Sequence, residues 1–432
     1  MRAVARLILA APAVFAHLAG GAALGGASDA VRHVWVQVAP PHVGIVRALT
    51  VAATCPEARF DGRAVLMSER AAPDSDFDVR VCEATVPPGT RRIDVAGKRL
   101  RPPPIHPRRI AVIGDTGCRL KAGTSLDDGF QACRDPDDWE FAKVAAQVAA
   151  WGPDLIIQVG DYIYREQACP EGEQPGCAGS PFNSPGMRFA TWEADYFTPA
   201  APLLAAAPVV FVRGDHEQCE RAGGGFFRFL DPFPLRCCTD FSDPYALDFG
   251  GLRLVVMDTV QAGDTASALS PPVVVERYRQ DFERVRQLAS EQTWLVSHRP
   301  IWAVRPAKDS HVEVLNATVQ QALSGPLPPA IDLVLAGHIH LWEVLSFTGP
   351  RPPQVVVGTG GTKLLPELRT DLVVGTEIDG EVVTDATASS THGFVTLEPE
   401  RPHDWTMTLW DALGREVAVC ELADKSAACT ID

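Results

Sequence analysis

Residues 154–161 read DLIIQVGD, an apolar run, interrupted by Gln158 alone, that ends at Gly-Asp. The same pattern occurs as RRIAVIGD at 108–115 and as PVVFVRGD at 208–215. Continuous runs of Val, Ile and Leu are typical of strands that are buried on both faces of a sheet. Four more predicted strands follow: LRLVVMD at 252–258, TWLVSH at 293–298, IDLVLAGH at 331–338 and PQVVVGTGG at 353–361.

Helical segments separate several of these strands. The first helix is predicted in 137–151, DDWEFAKVAAQVAAW, and the second in 273–290, VVVERYRQDFERVRQLAS. Strands that alternate with helices predict a layered α/β domain. In the first helix, apolar residues recur at three- and four-residue steps and share one face: Phe141, Val144, Val148 and Trp151.

The rest of the chain has a different pattern. Short β-rich runs separated by Pro and Gly fill residues 31–100, which predicts a small β domain over 28–104. RPPPIHPRR at 101–109 has the composition of a stiff linker, and the larger α/β domain is predicted over 108–432. Within it, 405–422 is predicted to be a hairpin that turns near 411–414, whereas 365–391 is polar and is predicted to be a long loop or insertion.

The first residues have the layout of a secretory signal peptide. MRAVAR carries two arginines, and an apolar, small-residue stretch extends to Ala27. We therefore predict a signal peptide over 1–27 and a periplasmic or secreted protein, with no stable membrane insertion elsewhere. The formal net charge of −15 argues against binding to nucleic acid, which needs a basic surface. The sequence does not indicate the oligomeric state.

Eleven cysteines support export, since they would pair in an oxidising compartment. The chain has no CxxC pair, which favours disulfides over a zinc knot. Cys219 could pair with Cys237 or with Cys238, which leaves one cysteine over. Neighbours in sequence suggest four further pairs: Cys55–Cys82, Cys118–Cys133, Cys169–Cys177 and Cys420–Cys429.

Five of the seven predicted strands end on a side chain that could bind a metal. In α/β sheets such side chains gather beyond the carboxyl ends of the strands. A single Gly-Asp is more often a turn, but five such endings in one chain favour a metal site, because carboxylate and neutral imidazole bind hard or borderline cations. The endings are Asp115, Asp161, Asp215 with His216, His298, and His338 with His340.

This combination resembles the calcineurin-like metallophosphoesterases and, within them, most closely the purple acid phosphatases. The resemblance implies an α/β fold in which a layered β-sandwich is flanked by helices (αββα), with a small N-terminal β domain. It rests on GDTG at 114–117, GDYIY at 160–164, GDHE at 214–217, VSHRP at 296–300 and GHIH at 337–340, with VVVGTGG at 355–361 as a further similarity.

The resemblance also implies two metal ions that share one ligand. Tyr164 stands three residues after Asp161, about one helical turn, so both side chains can face one point. A phenolate favours a trivalent ion, which implies Fe(III) in the first position and Zn, Mn or Fe(II) in the second. The implied ligands are Asp115, Asp161, Tyr164 and His340 for the first ion, and Asp161, Asp215, His298 and His338 for the second.

The implied activity is hydrolysis of a small phosphorylated substrate by a metal-bound hydroxide. His216 is the best general acid for the leaving oxygen, and Glu217 could orient it or raise its pKa. His311 could also reach the substrate, although a surface position is favoured. An acid-phosphatase-like phosphomonoesterase is the leading prediction. The alternatives are a phosphodiesterase on the same dimetal site and a non-catalytic exported binding protein on this scaffold.

Asp215 is the one departure from the family pattern. The third motif normally reads GNHE or GNHD, so this chain has a carboxylate where the family has an amide. The formal charge of the site is one unit lower with Asp than with Asn, which weakens its attraction for phosphate. Because all the other motif residues are present, we predict a tuned but active enzyme rather than altered metal choice or a weakened catalyst.

Overall fold

The structure is a computed structural model that describes residues 30–121, 129–169, 177–182, 188–307 and 311–431. The predicted signal peptide, 1–27, lies outside these residues. The helices are α1 Phe141–Trp151, α2 Phe189–Trp192, α3 Ala201–Ala206, α4 Gly223–Phe229, α5 Pro272–Leu288 and α6 Ala317–Ala322.

The strands follow the chain from the N-terminal β region to the C-terminal hairpins. They are β1 Val31–Ala39, β2 Val43–Thr50, β3 Glu57–Phe60, β4 Arg63–Leu66, β5 Ser68–Ala71, β6 Arg80–Thr85, β7 Ile93–Val95, β8 Lys98–Leu100, β9 Ile110–Ile113, β10 Leu155–Gln158, β11 Val209–Phe211, β12 Tyr245–Phe249, β13 Leu252–Met257, β14 Thr293–Ser297, β15 Ala303–Pro306, β16 Val312–Leu315, β17 Ile331–Ala336, β18 Trp342–Phe347, β19 Gln354–Val357, β20 Glu377–Ile378, β21 Glu381–Ser389, β22 Gly393–Arg401, β23 Asp404–Asp411, β24 Glu416–Ala423 and β25 Ser426–Ile431.

Most strands belong to two large sheets. One sheet has 11 strands in the order β25-β24-β23-β22-β9-β10-β11-β1-β2-β6-β5, and the other has 8 in the order β12-β13-β14-β17-β19-β18-β21-β20. The centre of each sheet is parallel, with β9, β10 and β11 in the first and β13, β14, β17 and β19 in the second. These are the seven strands that the apolar runs predict.

The two sheets pack face to face. Ile157 and Val210 of the first sheet and Val296 and Leu335 of the second belong to one buried core. Helices α1, α3 and α4 cover the outer face of the first sheet, and α5 and α6 cover that of the second. The predicted αββα sandwich is confirmed, and the two predicted helices are α1 and α5.

The N-terminal β region is built onto the 11-stranded sheet. β1 pairs antiparallel with β2 and parallel with β11, where Gln37 lies opposite Val209. A 4-stranded sheet, β4-β3-β7-β8, packs against this extension. The buried Arg47 strengthens the connection, since its guanidinium donates to the carbonyl oxygens of Phe229 at 2.6 Å and Asp231 at 2.9 Å. The predicted region 28–104 therefore shares its main sheet with the larger domain.

The polar stretch 365–391 contains strands that the sequence did not predict. β21 pairs antiparallel with β18, and β20 pairs with β21 at the sheet edge. The prediction of a long loop is wrong for β20 and β21, whereas 365–376 is irregular apart from the 3₁₀ turn Thr370–Leu372. Strands near a sheet edge have a face in solvent, which accommodates polar side chains such as the exposed Thr384 and Asp385.

Disulfide bonds join the described cysteines much as predicted. The four suggested pairs are confirmed, and Cys219 pairs with Cys238, which leaves Cys237 exposed with a free thiol. Within the described ranges, every helix is too short or too polar to cross a membrane.

Glu343 of β18 is a buried carboxyl group with incomplete hydrogen bonding. Its Oε1 accepts from the backbone amide of Val304 at 3.3 Å, and its Oε2 has no partner among the described residues. Burial raises the pKa of Glu343 from 4.5 to about 8. The folded state therefore holds this proton more tightly than the unfolded state. The stability contributed by the protonated side chain is full below pH 4.5 and is lost as the pH rises through about 8.

We expect Glu343→Gln, which keeps the shape of the protonated side chain, to remove this loss. The variant should match the wild type near pH 4 and exceed its free energy of unfolding by about 3–5 kcal/mol at pH 9, because the ionised group is then buried without a partner. Urea denaturation at the two pH values measures the difference, and a difference independent of pH would contradict the assignment.

Candidate metal centre

The predicted metal ligands lie at the carboxyl ends of the parallel strands, at one edge of the sandwich. The backbone turns abruptly there, with a φ of 56° at Asp115 and Asp161 and of 73° at His338. Side-chain-bearing residues adopt this left-handed region rarely, and surrounding structure must hold them in it. β9 leads to Asp115, β10 to Asp161 and Tyr164, β11 to Asp215, β14 to His298, and β17 to His338 and His340.

Glycine precedes four of these residues, Asp115, Asp161, Asp215 and His338, because the strand ends approach one another closely. A Cβ atom on Gly214 would collide with the backbone nitrogen of Asp161, and one on Gly337 would lie 2.5 Å from Oδ2 of Asp115. The repeated glycine therefore allows neighbouring turns to bring their carboxylates together.

One set of donors contains four side chains, each with an atom within 4.8 Å of the others: Asp161, Asp215, His298 and His338. Nε2 of His298 lies 3.2 Å from Oδ2 of Asp161 and 3.2 Å from Oδ1 of Asp215. Nδ1 of His338 lies 2.9 Å from the same Oδ1. These four are the residues that the resemblance assigns to the second ion.

A second set meets at the phenol of Tyr164. Its Oη lies 2.9 Å from Oδ1 of Asp115, 2.7 Å from Oδ2 of Asp161 and 3.0 Å from Nε2 of His340. The two sets overlap in Asp161, whose Oδ2 faces both Tyr164 and His298. All seven predicted side chains are thus brought together.

Backbone contacts set the orientation of two histidines. Nδ1 of His298 lies 2.7 Å from the carbonyl oxygen of Val159, and Nδ1 of His340 lies 3.0 Å from that of Lys363. A proton on each Nδ1 satisfies these contacts and leaves Nε2 as a lone-pair donor towards the cluster, which is how metal-binding histidines are held.

His338 is oriented by Asp264, a residue that the sequence analysis missed. Nε2 of His338 lies 3.0 Å from Oδ1 of Asp264, so Nδ1 is the nitrogen that faces Asp215. Asp264 lies in the loop after β13 and belongs to no motif, and only the folded loop brings it to His338.

The charges of the cluster are strongly perturbed by burial. Burial raises the pKa of Asp115 to about 7. Burial also opposes ionisation of Asp161, but the imidazolium form of His298, in which Nε2 carries a proton rather than a metal, holds the pKa of Asp161 below its ordinary value. Buried carboxylates, a phenol and imidazoles that converge in this way are a donor set suited to hard or borderline cations, so the residues fit the two implied ions.

The model of the calcineurin-like phosphoesterase family matches residues 108–341, a range that contains every predicted site residue. The chain belongs to the calcineurin-like phosphoesterase family. The enzyme class predicted from the motifs, a metallophosphoesterase, is confirmed at the level of this family.

Relatives of this phosphoesterase include plant proteins. It is 22% identical over 305 residues to Purple acid phosphatase 23 of Arabidopsis thaliana, a match that covers 67% of this chain and 60% of the plant protein. The chain thus spans less than two thirds of that relative's length. The predicted similarity to purple acid phosphatases is confirmed.

Two solved structures share the fold. Purple acid phosphatase PPD1 from yellow lupin (Lupinus luteus) seeds has a TM-score of 0.56 at 13% identity, over 93% of this chain and 74% of that one. PhoD has a TM-score of 0.53 at 10% identity, over 92% of this chain and 91% of that one. At these identities the likeness establishes the fold alone.

His216 of this phosphoesterase lies beside the first donor set. Its ring centroid is 3.8 Å from that of Tyr164. Its Nδ1 is 3.0 Å from the carbonyl oxygen of Ile163 and 3.0 Å from Oε1 of Glu166. Glu166, which the sequence analysis did not select, is therefore the carboxylate next to His216. His311 is exposed at the surface.

The prediction that Glu217 orients His216 is corrected. The Glu217 carboxylate contacts backbone amides instead. The short 3₁₀ turn Asp215–Glu217 leaves the Glu217 side chain fully buried beneath the cluster. Both carboxylate oxygens bind backbone amides, so Glu217 fixes the turns that carry the candidate ligands. The amide donors are Asp161 and Gly214 at 3.1 Å, Tyr162 at 3.0 Å and Ile163 at 3.3 Å.

Asp215 is surrounded by positive charge. Although burial opposes its ionisation, the guanidinium of Arg299 and the imidazole of His338 hold the pKa of Asp215 well below its ordinary range. Arg299 lies in the VSHRP motif, but the sequence analysis did not select it as a site residue. Arg221 belongs to no motif, and it reaches Asp215 only because the chain folds back after the 3₁₀ turn.

We expect Glu217→Gln to lower the free energy of unfolding by at least about 2 kcal/mol. The amide that replaces one carboxylate oxygen would face backbone N–H groups, donor against donor, and leave them buried without acceptors. Urea denaturation of the metal-depleted protein measures this cost separately from catalysis. Glu276→Gln on the exposed side of α5 is the matched control, and equal stability of the two variants would refute the anchoring role.

Proposed function

We propose that the protein hydrolyses phosphate monoesters at a two-metal centre. The observation that carries the proposal is the position of Asp161, shared by two donor sets of four side chains each. The similarity to purple acid phosphatases supports a monoester substrate. The five disulfides support function in an oxidising compartment, and hence a periplasmic or secreted protein.

The donor sets differ in a way that supports two different ions. Asp115, Asp161, Tyr164 and His340 include a phenol, which favours Fe(III). The other set offers carboxylates and imidazoles, which suit Zn, Mn or Fe(II). When bound, the two ions would polarise the phosphate and lower the pKa of water in the site.

His216 is placed to protonate the leaving oxygen. It lies at the border of the cluster, with Nε2 3.9 Å from Oδ2 of Asp161, and a general acid must stand beside the reacting group rather than bind the metal. Glu166 and the carbonyl of Ile163 face Nδ1, which keeps a proton on that nitrogen and directs Nε2 towards the centre. Glu166 is therefore a positioning residue.

The purified protein should contain two metal ions per chain and hydrolyse p-nitrophenyl phosphate faster than bis(p-nitrophenyl) phosphate. Since a tyrosinate–iron(III) pair absorbs visible light, the protein should be coloured, and Tyr164→Phe should abolish the colour. Tyr162→Phe is the matched control, because the Tyr162 hydroxyl donates to the carbonyl of Val212 at 2.8 Å. Metal-replete protein without hydrolytic activity would refute the proposal, and colourless metal-replete protein would remove iron and Tyr164 from it.

Variation of the leaving group tests the general acid. His216→Gln should lower kcat about 10²–10⁴-fold for an alkyl phosphate, whose alkoxide needs a proton, and far less for p-nitrophenyl phosphate. Glu166→Gln should show the same selectivity for poor leaving groups at smaller size. Equal losses for both substrates would mean that His216 only binds phosphate.

A further inference from the structure

The two oxygens of the Asp215 carboxylate have different neighbours. Oδ1 faces the candidate ligands, 3.2 Å from Nε2 of His298 and 2.9 Å from Nδ1 of His338. Oδ2 faces two guanidinium groups, 3.0 Å from Nη1 of Arg221 and 3.3 Å from Nη2 of Arg299. One oxygen is thus directed to the metal position, and the other is held by cations.

Both arginines are fixed in place by further contacts. Nη1 of Arg221 also donates to the backbone carbonyl of Asp215 at 3.1 Å, and the same guanidinium pairs with Glu166. Arg299 is buried and pairs with Asp264. The side chain of Arg221 is 25% exposed and that of Arg299 is 9% exposed, so solvent screens their effect on Asp215 weakly.

These contacts form a chain of ion pairs with alternating sign. It connects Glu166, whose carboxylate faces His216, to Asp264, whose carboxylate orients His338, and Asp215 lies between the two arginines. Three cations and three carboxylates cancel formally. In order, the members are Lys121, Glu166, Arg221, Asp215, Arg299 and Asp264.

We propose that Arg221 and Arg299 neutralise the carboxylate of Asp215, so that the second metal position has the local charge that a neutral side chain would give. The inference rests on the proposed two-metal centre and explains how the chain has a carboxylate where the family has an amide. Without Asp215, two guanidinium groups would face a neutral group beside the metal position. Without the arginines, a third buried carboxylate would be uncompensated.

Metal binding without substrate tests this charge balance. Chelator-treated protein is titrated with Zn²⁺ against a fluorescent competing chelator, and the binding step that Asp215→Asn weakens defines the second position. The weakening should be about tenfold or more, and Arg221→Gln should tighten the same step by a similar factor, because a nearby buried charge acts strongly on the ion. The double variant should return to near the wild-type affinity.

Two controls separate charge from packing. Arg221→Lys keeps the charge and should keep the wild-type affinity. Arg253→Gln removes an arginine of similar exposure, 28%, from its pair with Asp248 at the far end of β13 and should change nothing. Should Arg221→Gln fail to fold, the double variant and Arg221→Lys decide the question, because the double variant contains no uncompensated carboxylate at position 215.

The outcomes distinguish the two proposals. If the double variant binds Zn²⁺ as weakly as Asp215→Asn, or if Arg221→Gln weakens binding, Arg221 does not neutralise Asp215 and the inference is overturned. If the wild type binds no divalent ion in either step, the proposed function itself fails.

Discussion

The burial of several carboxylates at one point is the constraint on which the rest of the structure depends. Asp115 and Asp161 both contact the Tyr164 phenol, and Asp215 lies with Asp161 around His298. Like charges so close together and so far from water are costly unless cations accompany them. Such an arrangement requires a rigid frame to bring the carboxylates together and positive groups to stabilise them.

The frame is the sandwich itself. Parallel strands of both sheets end at the same edge, and glycines at 214 and 337 let their turns approach. Beneath the turns, Glu217 binds backbone amides from two different strand ends, and so links the β10 and β11 turns directly. The strained φ values at Asp115 and Asp161 persist because this packing and hydrogen bonding leave the turns no alternative.

The sequence predicts the parallel core and the clustering of the candidate ligands, because both depend on local patterns. A continuous Val-Ile run predicts a buried strand. The end of that strand then determines the position of a candidate ligand that directly follows it. Glu166, Asp264 and Arg221 could not be predicted in this way, since each lies on a loop and reaches the cluster only through tertiary folding. For Glu217, adjacency in the sequence was misleading. It follows His216 directly, but the 3₁₀ turn Asp215–Glu217 directs its side chain to the backbone amides below and not to His216.

The N-terminal β region has a structural link to the same centre. β1 extends the 11-stranded sheet beside β11, the strand that leads to Asp215. Arg47, buried in β2, donates to one carbonyl oxygen at the end of α4 and to one just after it. It thereby fixes the segment that begins with the 3₁₀ turn and carries Arg221. Burial lowers the pKa of Arg47 to about 9, which means that the fold spends stability on keeping this cation away from water. In return, the contacts of Arg47 and of β1 hold the β11 loop, with the candidate ligand Asp215 and with Arg221, in one fixed position.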